Sequence, residues 1–295
     1  MKTPFLASLI ALALLNTPAC NANWSVHPFT ASETESKSFT TRGATRVVVD
    51  MFNGGIEVVA GTDAAVKVDV EKRGGGDTPE AAKADLKNVA VTMEQSGDTI
   101  TVAAKRTDTQ VDIGNSGASA VLRVPAGAVV ELRTGNGKVS VSGPVGKATA
   151  VTSNGAIEAK GTSGPLNLTT SNGSIHVAGG AGQLALETSN GGIAIASDQV
   201  LVTARTSNGG ISFSGSLAAG ENSLRTSNSS IKLTLPAAAA FTLDAQTSNG
   251  KVTSEFPVKS MKSGDAALQG SVGENPQTRI TLHTSNGGIS IKQAK

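Results

Sequence analysis

One tripeptide, Thr-Ser-Asn, recurs along this chain, beginning at Thr152, Thr170, Thr188, Thr206, Thr226, Thr247 and Thr284. Thr134-Gly135-Asn136 is a variant of it, and Met51-Phe52-Asn53-Gly54-Gly55 is a more distant one. The asparagines stand at 136, 154, 172, 190, 208, 228, 249 and 286, with spacings of 18, 18, 18, 18, 20, 21 and 37. The last gap is about two periods and carries an insertion. A fixed short period of this kind is the signature of units that cannot bury a core alone and stack on one another instead.

Between the turns lies the grammar of strands. After Asn172 come Ile175 and Val177, then the Gly179-Gly180-Ala181-Gly182 corner, then Leu184 and Leu186 before Thr188. The units after Asn154 and Asn190 repeat that order. Each unit is two strands of period 2 joined by two corners. Asn-Gly between alternating runs ordinarily signals a hairpin. Equal rungs of 18 residues let every Asn stack on the previous one, so the expectation is an all-β, single-domain parallel β-solenoid.

Alternation places Leu186, Thr188 and Asn190 inward, and Glu187 and Ser189 outward. The inward asparagines Asn53, Asn136, Asn154, Asn172, Asn190, Asn208, Asn228, Asn249 and Asn286 are expected to form a structural ladder. Asn286 would end it, with a neighbour on one side only. The Gly after each Asn is expected to supply a positive φ at the corner. Outside, the column before each Thr reads Arg133, Val151, Thr169, Glu187, Arg205, Arg225, Gln246, His283. The next column is mostly Ser, either a hydrated face or a shallow surface for hydroxyl-rich ligands.

The ends are less regular. Residues 32–130 read as irregular N-terminal coils and a cap, 131–256 as regular repeats, 257–278 as a lateral loop insertion and 279–295 as the last coil. Asp77-Thr78-Pro79-Glu80 starts a short helix near 79–88, with a capping residue before Pro at the first helical position. Val89, Val91, Met93 and Ile100, Val102, Ala104 flank Ser96-Gly97-Asp98 as a hairpin-like pair. The helix and these strands would cover the naked sheet edge at the open end of the stack.

Residues 1–22 read as an export signal: Lys2, an apolar run from Phe5 to Leu15, then small residues. The run is too short to span a bilayer. Two processing routes fit. Signal peptidase cuts after Ala19 or Ala22, or Cys20 is the acylated cysteine of a bacterial lipoprotein. Thr17 stands where such signals usually place Leu. Residues 23–31 would be a tether.

Net charge is near zero, with 25 Lys+Arg against 23 Asp+Glu, and aromatics make up 3% of the chain. That leaves neither the basic excess nor the stacking rings that nucleic-acid binding uses. One Cys excludes an intrachain disulfide framework and a thiolate metal cage.

Val124-Pro125 followed by Gly127, Leu132 and the Thr-Ser-Asn-Gly-x-Ile units resembles the bacterial DUF4097 family, whose members carry the label of adhesins. The resemblance covers about residues 32–295. It implies an exported or membrane-tethered β-solenoid and no catalytic residue. The residues themselves agree with that. Glu131, Glu158, Glu187, Asp198, Glu221, Asp244 and Glu255 are scattered, and His27, His176 and His283 are dispersed. No catalytic, cofactor-binding or metal-ligating set is expected. The reading is a non-catalytic, monomeric envelope protein, periplasmic or anchored at the outer membrane, serving as an adhesin-like interaction or scaffold module for an envelope protein or glycan. The alternatives are an extracytoplasmic sensor and, further off, a polysaccharide-acting β-helix enzyme.

Cys20 gives a first test. A fatty-acid probe fed to cells is expected to label the wild-type protein and not Cys20→Ala. A mature N-terminus at Asn23, or at an unmodified Cys20, would contradict lipidation.

Overall fold

The computed structural model describes residues 27–108 and 114–294. The expected leader and Cys20 lie outside the described residues. Parallel strands stack in two rows around one shared core. The first row runs Val129–Thr134, Lys147–Thr152, Leu166–Thr170, Gly182–Thr188 and then the second half of Ile193–Arg205. The second row runs Val139–Ser142, Ile157–Lys160, Ile175–Ala178, the first half of Ile193–Arg205, Ile211–Leu217 and Ile231–Leu235. Register is exact to the repeat: Leu184 lies between Leu166 and Val202, and Ile175 between Ile157 and Ile193. These aliphatic columns are buried. Each contributes about 1.5–3 kcal/mol of transfer free energy per side chain, but only once a neighbouring coil covers it. The architecture is the parallel β-solenoid that the period implies.

The expected positive φ is found after Asn53, at Gly54 (141°), but in the regular repeats the glycine after Asn does a different job. None of Gly155, Gly173, Gly191 or Gly209 has a positive φ. That conformation is found at the opposite corner, at Gly143 (84°), Gly161 (62°) and Gly179 (66°). A Cβ on Gly173 would instead drive into the carbonyl oxygen of Gly155 on the coil before, and one on Gly191 into that of Gly173. Close backbone approach, not a left-handed turn, excludes every side chain here.

The chain does not stack in sequence order at its C-terminal end. Thr278–Thr284 pairs in parallel with Gly220–Arg225 on one side and Phe241–Thr247 on the other. In the second row Ile289–Gln293 likewise lies between Ile231–Leu235 and Val252–Ser254. The last coil is thus slotted beneath its predecessor. Residues 257–278, expected as a lateral loop, hold a hairpin of Lys259–Gly264 and Ala267–Val272. Its second strand pairs antiparallel with Phe241–Thr247 and covers the edge that would otherwise end the stack. Returning a chain into a parallel slot needs a long connection, and the hairpin is that connection.

At the other end Arg46–Met51 and Thr99–Arg106 extend the first row, and Val89–Ser96 adds an antiparallel strand. Ile56–Gly61, Gly117–Pro125, Ala65–Gly76 and Phe29–Thr40 extend the second. The sheet therefore begins at Phe29, inside the stretch expected as a tether. The helix is Pro79–Leu86, capped by Thr78 Oγ1, which accepts from the Ala81 amide at 3.1 Å. Asp85 at its end accepts from the Gly75 amide (2.9 Å), from Arg106 (2.7 Å) and from the Ser116 hydroxyl. Burial pushes this carboxyl up, but those three donors and the Arg106 charge outweigh it and hold it below the ordinary value of 3.8. Among the described residues no helix is long and apolar enough to cross a bilayer.

Two outcomes follow for stability. Gly173→Ala is expected to cost about 1–3 kcal/mol or more through overpacking. Gly61→Ala, where a Cβ meets open space, is expected to stay within about 0.5 kcal/mol. Thermal melts of both decide it. Asp85→Asn is expected to cost about 1–3 kcal/mol at neutral pH. Because the folded carboxyl titrates low, the wild-type advantage is complete above pH 3.8 and is lost as pH falls through the folded value, so the two stability curves converge in acid.

Candidate functional site

The surface of the regular stack is organised by its Thr-Ser-Asn corner. The strand ends at Thr188, whose side chain is buried. Its hydroxyl donates to the Gly173 carbonyl one coil away (2.9 Å) and accepts from the Gly191 amide of its own turn (3.2 Å). Thr170 and Thr206 repeat both bonds. One hydroxyl thus satisfies two backbone groups that lie out of reach of water.

Ser189 and Asn190 follow in a bend, and both are exposed. The inward placement expected for the asparagines is therefore wrong. Parity of facing holds only along an extended strand, and it ends at Thr188. The amides still bond to one another, in the open. Asn172 donates to Asn154, Asn190 to Asn172 (2.6 Å each), Asn208 to Asn190 (2.7 Å) and Asn228 to Asn208 (2.8 Å). Asn154 donates to Asn136 in the same way. Asn286 then donates to Asn228 and Asn249 to Asn286, at 2.8 Å each. Asn286 is therefore an interior rung and Asn249 the terminal one, the reverse of the sequence expectation. Asn53 donates to the Ser116 carbonyl instead (2.7 Å).

Outside the second row a shallow trough of about 560 Å³ lies over small side chains, among them Ala178, Ala196, Ser212 and Ser214. Lys160, His176 and Lys232 stand at its margins. Glu158 is held by Lys138 at 2.7 Å, which keeps its carboxyl below the ordinary range. Outside the first row the column before each Thr carries the charges. Glu187 is a register neighbour of Arg205, Arg205 of Arg225, and Arg225 of His283. The adjacency of Arg225 and His283 in register is invisible in the sequence, where Gln246 intervenes. It exists because the last coil is slotted out of order.

The three histidines remain apart. His27 Nδ1 lies 3.1 Å from Asp77, His176 near Ser174, and His283 beside Arg225. Among the described residues no group of three or more His, Cys, Asp or Glu is placed to hold a metal.

A family model, Toastrack DUF4097, matches residues 46–292, almost all of the solenoid just described. The chain belongs to this family. Similar proteins of solved structure resemble it only remotely in sequence. A "putative cell adhesion protein" from Clostridium sporogenes is 12% identical, with 90% of this chain and 100% of that one covered, at a TM-score of 0.31. A "putative adhesin" from Bacteroides fragilis is 9% identical, over 89% and 97% of the two chains, at 0.37. A "putative lipid binding protein" from Parabacteroides distasonis is 14% identical over the same shares, at 0.41. At such identities and scores the likeness assigns this Toastrack chain no ligand. Among curated proteins none matches it.

Buried threonine and exposed asparagine are separable by melting. Thr188→Val leaves the Gly173 carbonyl and the Gly191 amide unpaired and is expected to cost about 1–3 kcal/mol. Asn190→Ala removes exposed bonds worth about 0.5–1.5 kcal/mol, and Asn249→Ala, with one neighbour, costs less still. A larger loss at Asn190 than at Thr188 would contradict this division of labour.

Proposed function

We propose that this protein is a non-catalytic interaction module of the cell envelope, exported by its leader, anchored through Cys20 and adhesin-like in use as a monomer. The supporting observation is the corner surface. Asn136, Asn154, Asn172, Asn190, Asn208, Asn228, Asn286 and Asn249 follow one another in a single hydrogen-bonded line. Exposed serines run beside it. Donors and acceptors therefore recur at one coil spacing, about 4.8 Å, on a scaffold whose core fixes their positions. A regularly repeating surface multiplies weak contacts when its partner also repeats, as an envelope polymer does. The family membership points the same way, as does the export signal expected in residues 1–22.

The test joins location to use. Whole-cell protease treatment and fractionation are expected to find the mature chain in the envelope, and its deletion is expected to lower adherence to a surface coated with envelope or matrix material, with rescue by the wild-type gene. Recovery of the chain in the cytoplasm, or unchanged adherence, would overturn the proposal.

A further inference from the structure

We infer that Arg205, Arg225 and His283 form a binding strip for an acidic glycan. The three come from separate coils and are brought into one outward column by the stacking order. Neighbours in that column are about 4.8 Å apart at the backbone. Both arginines are exposed, and His283 is half-buried. Like charges directly opposite on adjacent strands repel. None of the ion pairs among the described residues includes any of the three. Even Glu187, the register neighbour of Arg205, forms none. Two exposed arginines on register-adjacent residues, neither in an ion pair, match a ligand that brings its own anion, and their planar forks suit carboxylate or sulfate groups.

The surroundings choose among anions. Thr203, Ser223 and Thr281 form an in-register hydroxyl column beside the strip. Ser223 Oγ accepts from Arg225 Nε at 3.2 Å, which fixes one edge of that guanidinium. Hydroxyls beside the two arginines suit a hydroxylated, acidic chain lying along the stack axis. A nucleic acid would call for more cations and for aromatic platforms. An anionic membrane surface would call for a larger basic cluster.

This inference rests on the proposed envelope role and adds the chemistry of the ligand. The experiment is calorimetric titration of the mature protein with an oligogalacturonate and with a neutral galactose oligomer of equal length, at low and high salt. Binding of the acidic chain alone is expected, weakening as salt rises. Arg205→Ala and Arg225→Ala are each expected to weaken it about two- to fivefold, and the pair of substitutions more. Arg133→Ala, in the same column but between Asp50 and Val151, is expected to bind as the wild type does. Melting temperatures should not fall in the Arg205 and Arg225 variants, since a repulsion is relieved. No acidic binding, equal neutral binding, tighter binding to anionic vesicles, or equal loss in Arg133→Ala would each overturn the strip. Unchanged adherence of the deletion strain alongside the expected titrations would refute the envelope role alone. Lost adherence with silent titrations would refute the strip alone.

Discussion

Successive coils of this solenoid approach one another at the Asn-Gly corner more closely than any Cβ permits. The constraint is steric and it repeats, with Gly155 against Gly137, Gly173 against Gly155 and Gly191 against Gly173. Once the backbones are that close, the carbonyl between them is shut away from water and needs a donor. The buried Thr of the next coil supplies one, and its oxygen then accepts the turn amide. Register follows from this, because the Thr can reach only one carbonyl. The aliphatic columns, the exposed amide line and the charged column all inherit their alignment from that contact.

The same contact tolerates a change of chain order. A slot between two coils asks for a Thr, a bend and a small residue, and the segment Thr284-Ser285-Asn286-Gly287 provides them. Thr284 donates to the Ser229 carbonyl and Thr247 to that of Gly287, at 2.8 Å each. The later coil therefore fits between two earlier ones with the Thr-to-carbonyl bond kept on both sides. What remains outside is closed differently at the two ends. A hairpin covers one end. At the other, Phe29–Thr40 is a polar outer strand, where Glu33 and Glu35 meet Lys72 at 3.2 and 3.0 Å. Charges on an outer strand discourage pairing with another chain.

Much of the fold was legible because the period of 18 residues and the period-2 runs inside it leave few other solutions. Val47, Val49, Met51 with Ile56 and Val58, the helix after Thr78, and the strands around Ser96-Gly97-Asp98 were all readable from local pattern. Three features were not. The facing of Asn190 was misread because alternation was carried past Thr188 into a bend. The reason for glycine at 155, 173 and 191 was misread because close approach between coils leaves no local trace, whereas a positive φ does. The order of the last two coils was hidden because identical corner motifs fit either slot equally well. Of the outer surface, the columns were legible and the meeting of Arg225 with His283 was not, since it depends wholly on that order.

The last coil is slotted out of sequence order, so that Asn286 stacks between Asn228 and Asn249. Two double-cysteine variants in a Cys20→Ala background test it most directly. Ser227 and Ser285 sit on adjacent coils, the Ser285 amide donating to the Ser227 carbonyl at 3.2 Å. Ser227→Cys with Ser285→Cys is therefore predicted to close a disulfide under mild oxidation. Ser227→Cys with Ser248→Cys, two coils apart, is predicted to stay reduced. Closure of the second pair and not the first would show the coils stacking in sequence order, and would contradict the account.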